Sequence, residues 1–206
     1  LRTPLATVYG FARTLTRAGM RGPLLASLAL AIVLGAATAL GQAYGLLDTS
    51  LASLSRAPGG TFGNRNFMAH LVAMGLPLLL FLAVEARGRI RFTVAAAGVA
   101  IAAAALVLSR SRAAWLGTGL GATFLVIEGL WIGRLWADDR LRRRVLQLTG
   151  VGLAGLALAI VLPNRLNWRS DSPYLDSLTG VTNYKEGSGR GRLIQYGNTI
   201  DMAAHH

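Results

Sequence analysis

Five long apolar runs constrain this chain more than any other feature. They are Pro23 to Tyr44, Phe67 to Val84, Thr93 to Leu108, Trp115 to Gly133 and Leu146 to Leu162. A helix needs roughly 20 apolar residues to cross a bilayer, with about 17 as a practical floor. The third run is short and alanine-rich, but its flanks extend it. No run carries a charge at its centre, and Glu85 and Glu128 lie near ends, within reach of lipid headgroups. Gly and Ala recur through the last three runs, where small residues let helices approach closely in lipid. Apolar residues make up 53% of the chain and charged residues only 15%, with a mean hydropathy of +0.47. These values exclude an ordinary globular domain. The expected fold is all-α, a polytopic transmembrane helical bundle of about five spans with an extracytoplasmic loop and a surface helix.

The formal charge is +12, and every basic residue but Lys185 is arginine. A soluble chain so basic would suggest nucleic acid, but no nucleic-acid-binding module is present. Arginine clusters between apolar spans instead set topology. There is no cysteine, which excludes disulfides and thiolate metal sites. No metal-ligand spacing and no serine elbow occurs, so neither metal nor cofactor is expected. The sequence starts without Met and stops at His205-His206. It reads as a piece of a longer protein, which leaves the question of a signal peptide open.

The connections alternate. Residues 1–22 carry four arginines and no acid, the third connection carries Arg87, Arg89 and Arg91, and the fifth carries five more. Positive charge concentrates on the cytoplasmic side, so these three face in. Residues 47–66, the connection Ser109 to Ala114, and the tail after Pro163 then face out. That leaves Arg56, Arg65, Arg110, Arg112, Arg165, Arg169, Arg190 and Arg192 on the outer side, where the rule disfavours them. Two readings stand. Each arginine meets lipid headgroups, or the set binds phosphate or diphosphate through bidentate guanidinium forks.

The domain organisation follows: 1–163 as transmembrane bundle, part of a larger membrane domain, and 164–206 as the truncated start of an outer-face loop and helix region. Asn164 to Gly191 reads as loop, with Gly187 to Arg192 as a solvated hinge. Arg192 to His206 has apolar residues at helical spacing and suits a helix on the outer membrane surface.

Between the first two spans stands Gly59-Gly60-Thr61-Phe62-Gly63-Asn64-Arg65-Asn66-Phe67. The glycines permit a turn, and Arg and Asn supply donors to a ligand. Asn64 and Asn66 are of a type that shapes such a turn. His70, one turn into the second span, reads as a buried histidine bonded to a neighbouring helix. Trp115, Trp131 and Trp136 read as interfacial anchors. His205 and His206 close the outer helix, and His206 is the histidine considered for proton transfer.

In order, these features resemble the O-antigen ligase and O-antigen polymerase superfamily. That family shows an Arg, then Gly-Thr-x-Gly-Asn-Pro-Asn, then a span. Here the element is Arg56-Ala57-Pro58-Gly59-Gly60-Thr61-Phe62-Gly63-Asn64-Arg65-Asn66, with Arg65 where the family has Pro. Ser111-Arg112-Ala113-Ala114-Trp115 is similar to the family's Ser-Arg-x-Ala-Trp element between two spans. Arg192-Leu193-Ile194-Gln195-Tyr196 is similar to its Arg-and-aromatic helix opening.

The resemblance implies a metal-independent membrane glycosyltransferase with its active face at the periplasmic side of the bacterial inner membrane. Its donor would be an undecaprenyl-diphosphate-linked glycan. Its acceptor would be lipid A-core for a ligase, or another glycan for a polymerase on the same donor. Pilin-directed ligases are a further variant, and some relatives have been described as inorganic-carbon transporters. Ion-coupled transport calls for acids near the bilayer midplane, and none is present. The implied diphosphate clamp is Arg56, Arg112 and Arg192, with Gly60 at the turn and Asn64 and Asn66 either shaping it or bonding sugar hydroxyls. The resemblance places the base histidine in a later His-Asn element beyond His206. Implied partners are the lipid-linked glycan, its acceptor and membrane lipids, with no nucleic acid.

Overall fold

A computed structural model describes residues 2–47, 57–133, 137–166, 173–179 and 187–205. All of the regular structure among the described residues is helical, with no strands. Contacts divide the chain into two units, Leu1–Leu166 and Asn167–His206.

In the first unit, α1 spans Arg2–Arg17, α2 Arg21–Ala43, α3 Arg65–Glu85, α4 Arg89–Ser109, α5 Arg112–Trp131 and α6 Asp139–Val161. The last five are each long and apolar enough to cross a membrane. They coincide with the five expected spans, and α4 gains length from its flank at Arg89. The all-α, multi-span fold therefore holds. Pro77 lies inside α3, where lipid-phase helices tolerate it because neighbours re-satisfy the freed carbonyl.

Three expectations need correction. The basic segment 1–22 is mostly helix rather than plain connection. Val8, Phe11 and Leu15 recur on one face of α1, while Arg13 and Arg17 lie on the other, a helical period that a search for long apolar runs passes over. The helix stops at Gly19, whose φ of 77° opens a Schellman turn. There the Met20 N–H donates to the Leu15 carbonyl at 2.9 Å. In the second unit, Pro173–Thr179 forms a short helix, α7, within the expected loop. The third correction is the glycine hinge, which is helical: α8 runs from Gly187 to His205. Glycine costs a helix about 1 kcal/mol per residue, and here the regular segment that follows carries the helix back through it.

Helix α4 is the hub of the first unit. It packs against α6, α3 and α2, and more than half of its apolar stretch is buried. Its inner face is small: Ala96, Gly98, Ala102 and Ala105 are all buried. Close approach replaces bulk as the means of adhesion, as expected where lipid is as apolar as the side chains. At Gly155 of α6 an added Cβ would lie 2.5 Å from the Ala100 carbonyl oxygen, so the backbones of α4 and α6 touch there. Gly75 of α3 likewise leaves room for Ile32 of α2. Helix α5, by contrast, packs along α3 with little of its surface covered.

Candidate functional site

Helices α3 and α4 have 21 residues each, or about 30 Å apiece. They are joined by a three-residue connection, and only Arg110 and Ser111 separate α4 from α5. Two traverses of equal length return the chain to its starting level. The N-termini of α3 and α5 thus lie at the same end of the bundle, together with the C-terminus of α2.

The Gly59–Asn66 element is a compact turn fastened to α2. Residues Gly60–Phe62 form one 3₁₀ turn. The Gly60 N–H donates to Gln42 Oε1 at 2.8 Å, and Gln42 Nε2 donates to the Gly60 carbonyl at 3.2 Å. One side-chain amide thereby satisfies both backbone groups of one residue. Gly60 has φ 55°, and an added Cβ would sit 2.8 Å from the Gly35 carbonyl oxygen. Only glycine meets both the conformation and the space. Gly63 also has positive φ, at 62°, and the chain then enters α3. Asn64 is the N-cap: its Oδ1 accepts from the Asn66 N–H at 2.9 Å. Of the two roles considered for Asn64, capping is the one seen. The Asn66 side chain is exposed.

The Ser-Arg-Ser-Arg-Ala-Ala-Trp segment forms a reversal as tight. Arg110 takes a left-handed conformation with φ 51°, which costs a non-glycine residue roughly 1–2 kcal/mol. The buried Ser109 holds the reversal: its Oγ donates to the Leu106 carbonyl at 2.6 Å and accepts from the Ser111 N–H at 3.2 Å. Trp115 Nε1 donates to the same carbonyl at 2.8 Å. Trp115 is therefore more than an interfacial anchor; it pins the first turn of α5 to the last turn of α4. Ala114, in the same turn, is buried.

Electrostatics distinguish these two helix starts. Arg65 is the first residue of α3, and Arg112 the first of α5. Neither helix has an acid in its first turn. A helix N-terminus carries roughly half a positive charge, so a cation there costs about 0.3–1 kcal/mol. Ser111 makes no side-chain cap for α5. Two cations and two positive dipole ends face one side of the bundle, an arrangement that an anion would reverse from cost to gain. Arg165 joins this end too. Its N–H donates to the Ala43 carbonyl at 2.8 Å, and its side chain lies over Gly45. Tyr44 donates to the Ala159 carbonyl at 3.2 Å, which ties α2 to the end of α6.

Among the sequence-predicted site residues, Gly60, Asn64, Asn66 and Arg112 share this end. Arg56 lies outside the described residues. Arg192 stands in the first turns of α8, in the second unit. His206 also lies outside the described residues. His70 departs from expectation: its side chain is exposed, not buried against a neighbouring helix, because the buried stripe of α3 runs through Met68, Ala69 and Val72. Sequence reading missed Gln42. The available signal was a lone amide near the end of an otherwise apolar span. No cluster of three or more metal-ligating side chains occurs among the described residues.

Fold and site together define a multi-pass helical membrane protein with a cationic, turn-built end. A family model described as O-antigen ligase matches residues 97–206. The match covers more than half of the sequence, and the chain belongs to the O-antigen ligase family. It begins within α4 and includes the Ser111–Trp115 element, while the Gly59–Asn66 turn precedes it. Membership carries a ligase- or polymerase-type function in broad terms, with lipid-linked glycans and their acceptors as the general partners. No curated protein and no solved structure matches the chain.

Proposed function

We propose that the chain is part of an inner-membrane glycosyltransferase that moves a glycan from an undecaprenyl-diphosphate donor to lipid A-core. In this reading residues 1–163 belong to its membrane domain, and 164–206 begin a periplasmic region. The observation that carries the reading is the pair of arginine-led helix starts, Arg65 on α3 and Arg112 on α5, at the same end as the Gly59–Asn66 turn.

In the transfer, an acceptor hydroxyl attacks the anomeric carbon of the donor sugar. The bond from that carbon to the diphosphate oxygen breaks, and undecaprenyl diphosphate leaves with the electron pair. The hydroxyl proton passes to a base. Negative charge grows on the leaving diphosphate, and fixed guanidinium donors stabilise it more than they stabilise the ground state. Arg112 is the donor best supported by its position. Arg56 and Arg192 complete the proposed clamp, and Asn66 offers an exposed amide to the sugar. Such a clamp needs no metal. A polymerase acting on the same donor would use the same clamp and differ in its acceptor.

The test uses the full-length protein and purified lipid-linked glycan. Arg112→Ala should lose transfer while the protein still inserts into the membrane. Arg56→Lys and Arg192→Lys should also impair transfer, because lysine cannot make the bidentate fork. Wild-type transfer by Arg112→Ala would remove that residue from the clamp. Full activity in both lysine variants would reduce the clamp to simple charge attraction.

A further inference from the structure

The other end of the bundle holds a feature that glycan transfer does not use. An open cavity of about 820 Å³ lies between α2, α3 and α4 on the surface of the bundle, within the range of ~300–1,000 Å³ typical of ligand sites. Its walls are apolar: Leu30 and Val33 from α2, Leu79 and Leu82 from α3, Ile90 and Val94 from α4. Its mouth is ionic, with Arg87, Arg91 and Glu85 on its rim. Glu85 is the last residue of α3, so this rim lies one full span away from the Gly59–Asn66 turn.

The arginines at this end differ in what they touch. Arg144 of α6 donates through Nη1 to the Ala83 and Val84 carbonyls at 2.9 and 2.8 Å. Its guanidinium also lies 4.9 Å from the centre of the Phe92 ring. That cation is consumed by the fold. Arg87 and Arg91 are exposed, and neither side chain makes a hydrogen bond or ion pair among the described residues. Glu85 has no such partner either, so it does not neutralise them through a direct pair. With Arg89 in the same short stretch, the rim carries three arginines against one acid.

We infer that this cavity binds an anionic phospholipid, with an acyl chain between α2, α3 and α4 and the phosphate held by Arg87 and Arg91. An apolar groove between spans, open to the bundle's surface where Leu30, Ile90 and Val94 are exposed, fits hydrocarbon, and the Arg87 and Arg91 guanidinium groups at its mouth fit a phosphodiester. Basic pockets between spans are a recognised way to hold anionic headgroups. The lipid belongs to the leaflet opposite the proposed transfer site. It fills a gap between three helices and so stabilises the bundle.

Native mass spectrometry of the full-length protein in detergent tests this, with dioleoyl phosphatidylglycerol and dioleoyl phosphatidylcholine as probes. Phosphatidylglycerol should be preferred roughly thirtyfold, the worth of two arginines facing an anionic headgroup. Arg87→Gln/Arg91→Gln should abolish the preference, and Arg87→Lys/Arg91→Lys should keep part of it. Ala95→Phe, which fills the cavity wall, should reduce retention of both lipids while leaving the arginines in place. Thermal unfolding with and without phosphatidylglycerol supplies a second readout for any variant that folds poorly. Equal binding of the two lipids overturns the inference, as does a preference that survives the glutamine pair. Unchanged retention in Ala95→Phe would mean headgroup contact without an acyl site. Displacement by millimolar inorganic phosphate would mark a free-anion site instead of a lipid site.

Discussion

Arginines crowd both ends of this bundle, yet the two ends treat them differently. At the Arg87 end, Arg144 reaches the last carbonyls of α3 and stacks on Phe92. A cation at a helix C-terminus agrees with the dipole and satisfies orphan acceptors. At the Gly59 end, Arg65 and Arg112 occupy helix N-termini, where the dipole opposes them. The same side chain agrees with the helix dipole at one end and opposes it at the other. An anion reaching the Gly59 end would turn that opposition into a gain.

The comparison breaks most directly at Arg112. Arg112→Ala should reduce glycan transfer by at least ~10²-fold, the scale seen when a single oxyanion donor is removed. Radiolabelled glycan transfer in membranes would read it, with thermal stability measured on the same preparation. A loss of stability with transfer intact would place Arg112 with Arg144, as a structural cation.

Gly60→Val strikes the turn beneath the site. It imposes a side chain where φ is 55° and where Gly35 leaves no room. Such strain is worth roughly 1–3 kcal/mol, so detergent-solubilised protein should unfold at lower temperature and transfer should fall with it. Gln42→Leu should act through the same contact. It strands the Gly60 N–H and carbonyl at a cost of about 1–3 kcal/mol.

Arg144→Ala sharpens the contrast from the other side. It removes two charge-assisted hydrogen bonds and should destabilise by roughly 1.5–3 kcal/mol. Transfer per folded molecule should be unchanged. The smallest effect belongs to Arg142→Ala, which breaks an exposed pair with Asp139 at 2.6 Å. Exposed pairs contribute about 0.2–1 kcal/mol, so its melting curve should nearly overlay the wild type. A large shift there would mean that charge at this end is organised more tightly than these contacts show.

Much of the fold was legible because lipid imposes one rule. A run too apolar for water must be a span, and the runs ending at Tyr44, Val84, Leu108, Gly133 and Leu162 all became helices. Helix α1 was hidden because its signal is a period, not a run. The glycines from Gly187 to Gly191 misled because local propensity is a weak prior once a helix follows. In the site, Gly60 and Asn64 could be read as turn residues, since positive φ and N-capping have strong residue preferences. Gln42 could not be paired with Gly60, eighteen residues away, because that distance is closed only by the fold. His70 went wrong for a related reason: position along a helix does not say which face is covered.

Sequence alone settled the number of long apolar helices and the alternation of basic connections, since each depends on residues close together in the chain. Tertiary structure decided which arginines already have partners, which carbonyls Trp115 and Arg144 occupy, and where α2, α3 and α4 leave a gap. Those outcomes depend on how separate helices meet. In a bundle held by small residues such as Gly75 and Gly155, that meeting is set by backbone approach, which the order of residues does not spell out.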